Sequence, residues 1–180
     1  MALKPAQLYP NRDKGVIVPL SIVGLNPKAD VLGKPWLRRT EFHVTALIPR
    51  KIIPRLVAEA GLPEDTARNL LWDTIDKVSQ DVRIGDSSFT GELGLAHEGD
   101  KDSIFAMCDT PGIADLIKGM NDDLPVELEH PPTHVTLYTL TPGIGIGMAT
   151  KEEKRELSRP LTEAEAAEFY RAADPQGVLR

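Results

Sequence analysis

The chain has a single cysteine, Cys108, no apolar run long enough to cross a bilayer, and fewer basic than acidic side chains. Each shortage excludes something. One cysteine cannot close an intramolecular disulfide, and no basic start leads into an apolar signal segment, so the expected compartment is the reducing cytoplasm. The longest apolar stretch, Gly15 to Leu25, is interrupted by Pro19 and Ser21 and falls far short of the ~20 residues a spanning helix needs. No membrane anchor is expected. With 21 Lys and Arg against 27 Asp and Glu the net charge is −6, which argues against gripping a long duplex through many phosphates. Duplex DNA is therefore not an expected partner, whereas a small nucleotide or an RNA end needs only a local basic site. The glycines at 143, 145 and 147 match neither GxGxxG nor the Walker pattern, because Met148 follows and no Gly-Lys-Ser/Thr does.

What is present suits one mixed α and β unit spanning residues 1–180. A chain of 180 residues with 41% hydrophobic side chains can bury one good core or two closely packed lobes. Val16 to Val23 reads as a first strand, followed by a Pro- and Gly-punctuated loop from Asn26 to Pro35 and a strand from Trp36 to Ile48. Pro54 and Gly61 bracket a short helix, and Pro63, Glu64 and Asp65 open a longer one whose Ala67, Leu71, Ile75 and Val78 repeat at helical spacing. Ser88–Ala96 and Ser103–Cys108 read as a hairpin turning at Gly99 and Asp100. Asp109 or Thr110 is placed to cap a helix carrying the stripe Ile113, Leu116, Ile117 and Met120. A strand from Thr133 to Leu140 follows, and Thr150 with Glu153, then Thr162 with Glu165, have capping-box spacing.

Two of the four histidines stand in one repeated phrase, His43-Val44-Thr45 and His134-Val135-Thr136, each inside a strand pattern. Side chains alternate faces along a strand, so each phrase offers one imidazole and one hydroxyl to the same surface. If the strands are neighbours, four polar groups converge. Two imidazoles can give and take protons near neutral pH, and two hydroxyls can bond phosphate oxygens.

The repeat resembles the signature of the two-histidine phosphoesterases, two copies of His-apolar-Ser/Thr-apolar, which His43-Val44-Thr45-Ala46 and His134-Val135-Thr136-Leu137 both fit. The family includes bacterial 2',5' RNA ligases, phosphodiesterases that open 2',3'-cyclic phosphates, and enzymes that trim RNA ends or degrade 2',5'-linked and cyclic oligonucleotides. The resemblance spans roughly residues 16 to 148 and is specific at eight positions. It implies an α+β fold of two lobes related by an approximate two-fold, with mainly antiparallel sheets flanked by helices around a central cleft; periodicity alone justifies only a mixed domain. The loop-like Leu25–Arg39 connection departs from the helix that many members place there.

The chemistry then follows from what a phosphodiester needs. One histidine takes a proton from the attacking water while the other gives one to the departing oxygen, and neither order is fixed by sequence. Thr45 and Thr136 would hold the nonbridging oxygens. No metal or other cofactor is required. Arg39 and Arg50, from the cluster Arg38, Arg39, Arg50 and Lys51 around the first phrase, are candidate substrate contacts. Tyr138 continues the face of His134 and Thr136 and is a candidate for stacking on a base; Glu41 is a candidate for orienting His43. His130 and His134 have metal-ligand spacing for a helix, but Pro131 and Pro132 between them oppose one. The expected function is a metal-independent phosphodiesterase for 2',3'-cyclic phosphates or 2',5'-linked or cyclic oligonucleotides. The alternative is a nucleotide- or RNA-end-binding module that keeps the pocket without turnover. Cys108 is expected to be a core residue and His97 a surface one.

Overall fold

The structure is a computed structural model that describes residues 8–11, 15–143 and 145–179. Among these residues the strands are β1 Tyr9–Asn11, β2 Gly15–Leu20, β3 Lys28–Val31, β4 Lys34–Arg38, β5 Phe42–Leu47, β6 Ser88–Glu98, β7 Lys101–Asp109, β8 His134–Thr139 and β9 Ser158–Pro160. The helices are α1 Pro49–Ala60, α2 Glu64–Asp81, α3 Ile113–Asp123, α4 Lys151–Leu157 and α5 Glu163–Ala173. The fold is α+β. Its strands join one nine-stranded antiparallel sheet in the order β1-β2-β5-β8-β7-β6-β9, with the β3–β4 hairpin attached through β4 to the end of β8. The two strands carrying the repeated phrase, β5 and β8, are neighbours at its centre.

Alternation along the central strands sorts the sheet into two faces. Val44 and Ala46 of β5, Ile104, Ala106 and Cys108 of β7, and Val135 and Leu137 of β8 join the main core with α1, α2, α3 and α5. That core is what the helical stripes serve: Ala67, Leu71, Ile75 and Val78 of α2 and Ile113, Leu116, Ile117 and Met120 of α3 are all buried. On the other face, Phe105 gathers with Ala96, Ile146 and Met148 in a smaller apolar cluster. Burying one face under helices leaves the opposite face of β5 and β8 for polar groups.

The fold departs from the sequence expectations at several places. The stretch 26–35 is not a loop; most of it forms the β3–β4 hairpin, turning at Leu32 (φ 57°) and Gly33 (φ 67°). Two consecutive positive φ angles make a tight primed turn, and a leucine in the first position gives no signal of it. The long strand expected from Trp36 to Ile48 is two strands, β4 and β5, which break at Arg39–Glu41. Helix α1 starts at Pro49, where a proline's missing N–H matters least, and it absorbs Pro54 in its second turn. Gly61 ends it in the left-handed conformation as expected (φ 67°). Neither Asp109 nor Thr110 caps α3: the N-cap is Gly112, with no side-chain cap, and the Thr110 hydroxyl lies 3.0 Å from that of Ser87. Thr162 and Glu165 form the full capping box expected of them. Among the described residues no helix is long and apolar enough to cross a membrane.

Candidate active site

The two phrases meet in an antiparallel register that pairs Val44 with Val135. Counting outward from that pair sets His43 across from Thr136 and Thr45 across from His134, so the two histidines lie on a diagonal. Diagonal neighbours on adjacent strands are about 7–8 Å apart at the backbone, close enough for both rings to reach one small group. The valines turn to the core with 0% exposure, and the imidazoles and hydroxyls turn away from it.

Each phrase also carries the same local irregularity. In β5 the register against β2 slips between Ile17↔Thr45 and Val16↔Leu47, leaving Ala46 as an extra residue. In β8 the register against β7 slips between Phe105↔Thr136 and Ile104↔Tyr138, leaving Leu137 as an extra residue. The bulge falls at the fourth position of both phrases. A bulge ends the alternation of faces, so the residue after it changes sides.

That shift relocates Tyr138. Strict alternation would put its ring beside His134 and Thr136, but the bulge sends it to the core, where it is fully buried. Its hydroxyl donates to the Asn26 carbonyl at 2.6 Å, and its ring packs edge-on to Phe169 at 5.6 Å. Burial pushes the phenol up to about 12. Tyr138 therefore does not border the cavity, and its ring is not placed to stack on a base there. Tyr138→Phe is expected to reduce stability by about 1 kcal/mol, the worth of one buried hydrogen bond, and to leave substrate affinity unchanged, as urea unfolding and KM would register.

The other candidates border one cavity of about 370 Å³. Its lining includes His43, Thr45, His134 and Thr136, the proposed substrate contacts Arg39 and Arg50, and Glu41. Gly15, whose φ is 99°, forms part of the wall, and a side chain there would collide with the Leu47 carbonyl. The segment 145–147 runs between β8 and the start of α1: a Cβ on Gly145 would stand 3.3 Å from Thr136 Oγ1, and one on Gly147 3.1 Å from Ile48 Cδ1. At both positions a side chain would crowd its neighbour, so glycine suits the close approach. Of the basic cluster, Arg38 donates to the Leu25 carbonyl and Lys51 to the Gly147 carbonyl, leaving Arg39 and Arg50 to face the cavity.

Two lining residues escaped the reading of the sequence. Arg68 and Trp72, one turn apart on α2, both border the cavity. Trp72, at 9% exposure, belongs to the core and also reaches the cavity wall. Their i, i+4 spacing was visible, but which way α2 turns that face was not.

His134 is the more enclosed of the two histidines, at 6% exposure, with Phe105 edge-on at 5.4 Å. Its Nδ1 lies 2.8 Å from the Pro132 carbonyl and its Nε2 3.3 Å from the Ile146 carbonyl. A carbonyl only accepts, so the shorter contact places the neutral ring's proton on Nδ1 and leaves Nε2 as the exchanging nitrogen. Burial holds the ring below its ordinary value of 6.5, outweighing the two carbonyls that favour the charged form. The native ring thus takes up a proton less readily than the unfolded one. Its contribution to stability is complete above 6.5 and is lost as pH falls below that value toward the native pKa. The urea midpoint is expected to decline through that window, and to decline less in His134→Gln.

The remaining candidates lie elsewhere. His97 is on the surface, paired with Asp102 at 2.8 Å. His130 Nδ1 lies 2.9 Å from the Pro131 carbonyl. Cys108 is buried in the core and its thiol is pushed up to about 12, far from a nucleophile's range. Among the described residues no group of three or more His, Cys, Asp or Glu side chains is placed to hold a metal ion. A second cavity of about 380 Å³, between α1, α3 and the 128–131 segment, is mainly apolar and has no histidine in its lining. The chain matches no protein-family model, no curated protein and no solved structure.

Proposed function

We propose that this protein is a phosphodiesterase of the two-histidine type, hydrolysing 2',3'-cyclic phosphates or 2',5'-linked or cyclic oligonucleotides without a metal ion. One observation carries the reading: both His-Val-Thr phrases, paired through Val44 and Val135, turn their imidazoles and hydroxyls into one cavity. A volume near 370 Å³ is within the range of small-ligand sites. In this reading β1, β2 and β5 with α1 and α2 make one lobe, and β8, β7 and β6 with α3 the other. An approximate two-fold passes beside the valine pair, and the matching bulges after Thr45 and Thr136 support it.

The reaction needs one proton removed and one supplied. Water loses a proton to one imidazole as its oxygen bonds to phosphorus; the bond from phosphorus to the ribose oxygen breaks, and the other imidazole protonates that oxygen. The Thr45 and Thr136 hydroxyls donate to the nonbridging oxygens, where charge grows. Among the described residues neither the Arg39 nor the Arg50 guanidinium makes a side-chain ion pair, so both are available to phosphates flanking the scissile one. Hydrolysis is preferred to ligation, which would run the same steps backwards against bulk water in large excess. Cytoplasmic RNA-end processing is the setting this reading suits.

Incubation with a nucleoside 2',3'-cyclic phosphate in the presence of EDTA tests the proposal. Ring-opening that survives chelation supports it. Binding without turnover points to a nucleotide-binding module, and turnover lost with EDTA to a histidine-bound metal; either result overturns it.

A further inference from the structure

Lys51 and Glu153 border the second, mainly apolar cavity and not the one that holds the histidines, yet both grip the segment that reaches the buried His134. Glu153, spaced to complete a capping box with Thr150, sends its carboxylate elsewhere: Oε2 accepts from the Ala149 N–H at 2.6 Å and from Lys51 Nζ at 2.7 Å. Lys51 also donates to the Gly147 carbonyl at 3.1 Å. Helices α1 and α4 thus hold the 147–149 segment at a carbonyl and an N–H. Ile146, next in line, is 2% exposed among Phe105 and Met148, and its carbonyl is the one 3.3 Å from His134 Nε2.

The chemistry of that last contact is asymmetric. With Nδ1–H already committed to Pro132, a carbonyl facing Nε2 gains a hydrogen bond only when the ring is doubly protonated. We infer that Lys51 and Glu153 are positioning residues: their ion pair latches segment 145–149 so that the Ile146 carbonyl can accept the Nε2 proton of His134. The latch thereby favours the charged ring through which the proposed proton transfer passes. The inference rests on the proposed role of His134 as a proton carrier, but its geometry is independent of substrate. Among the described residues the other charged and titratable groups around the ring are Lys154 of α4, whose charge opposes protonation, and, lining the same cavity, Arg39, Glu41, His43, Arg50 and Arg68.

An NMR titration of the imidazole-labelled 180-residue chain, with the His134 signals assigned through His134→Gln, tests this in the parent, Lys51→Met, Glu153→Gln and Lys51→Arg. Charge alone would move His134 in opposite directions, upward on losing the Lys51 cation and downward on losing the Glu153 carboxylate. A latch moves it downward in both, because either loss frees the same carbonyl, and Lys51→Arg, which keeps charge and donors, stays at the parental value. Opposite shifts, or none, overturn the inference. The titration needs no turnover, so an inactive protein would refute the proposed function and leave the latch standing, while an active one without the paired shift would do the reverse.

Discussion

His43→Ala and His134→Gln are each expected to lower kcat/KM on a nucleoside 2',3'-cyclic phosphate by about 10²- to 10⁴-fold, the range that positioned proton transfer supplies. Glutamine is chosen at 134 because the ring is enclosed, at 6% exposure against Phe105 and two carbonyls, and an alanine would add a cavity to the chemical loss. His43 borders the cavity and is less enclosed, so alanine serves there. The two losses are not expected to add: under the proposed mechanism either substitution alone breaks the proton path, so the double variant should fall little below the worse single one. Circular dichroism and urea unfolding of each variant separate lost chemistry from lost fold. Parental rates in both variants would rule the mechanism out.

Phe105→Ala destabilises the protein by about 3–5 kcal/mol, the usual cost of removing a buried aromatic side chain. The ring is 1% exposed and fills the space over Gly94, where any Cβ would collide with it. It also stands edge-on to His134, so it is a structural support for the site as well as a core residue. Folded domains have only about 5–15 kcal/mol in reserve, so the variant is expected to fold with a much lower urea midpoint at an unchanged slope. Its activity should fall as well, because the ring that packs His134 is gone. Phe105→Leu, which refills most of the volume, should recover most of the stability and less of the activity. A loss below about 1 kcal/mol would mean that this face of the sheet is not packed as described.

How much of this could be read beforehand depended on whether a signal was local. The face shared by His43 and Thr45, and by His134 and Thr136, follows from alternation alone, and both pairs line the cavity. The α2 and α3 stripes and both threonine caps are likewise local patterns, and they hold. Tyr138 failed because a bulge at Leu137 depends on how β8 meets β7, a pairing no single strand announces. The β3–β4 hairpin was hidden by a leucine in a left-handed turn position and by Pro35 within β4. Arg68 was missed for a related reason: helical spacing identifies a face but not the neighbour that face meets. The pairing of Val44 with Val135, on which the site depends, joins residues far apart in the chain, and the nearness of the two strands was legible in the sequence only as a condition.

A crystal structure with a nucleoside 2'- or 3'-monophosphate, the product of the proposed reaction, tests the convergence of the two phrases most directly. The account predicts one phosphorus between the His43 and His134 rings, its nonbridging oxygens on the Thr45 and Thr136 hydroxyls. A phosphate bound by one phrase alone, or bound outside this cavity, would contradict it.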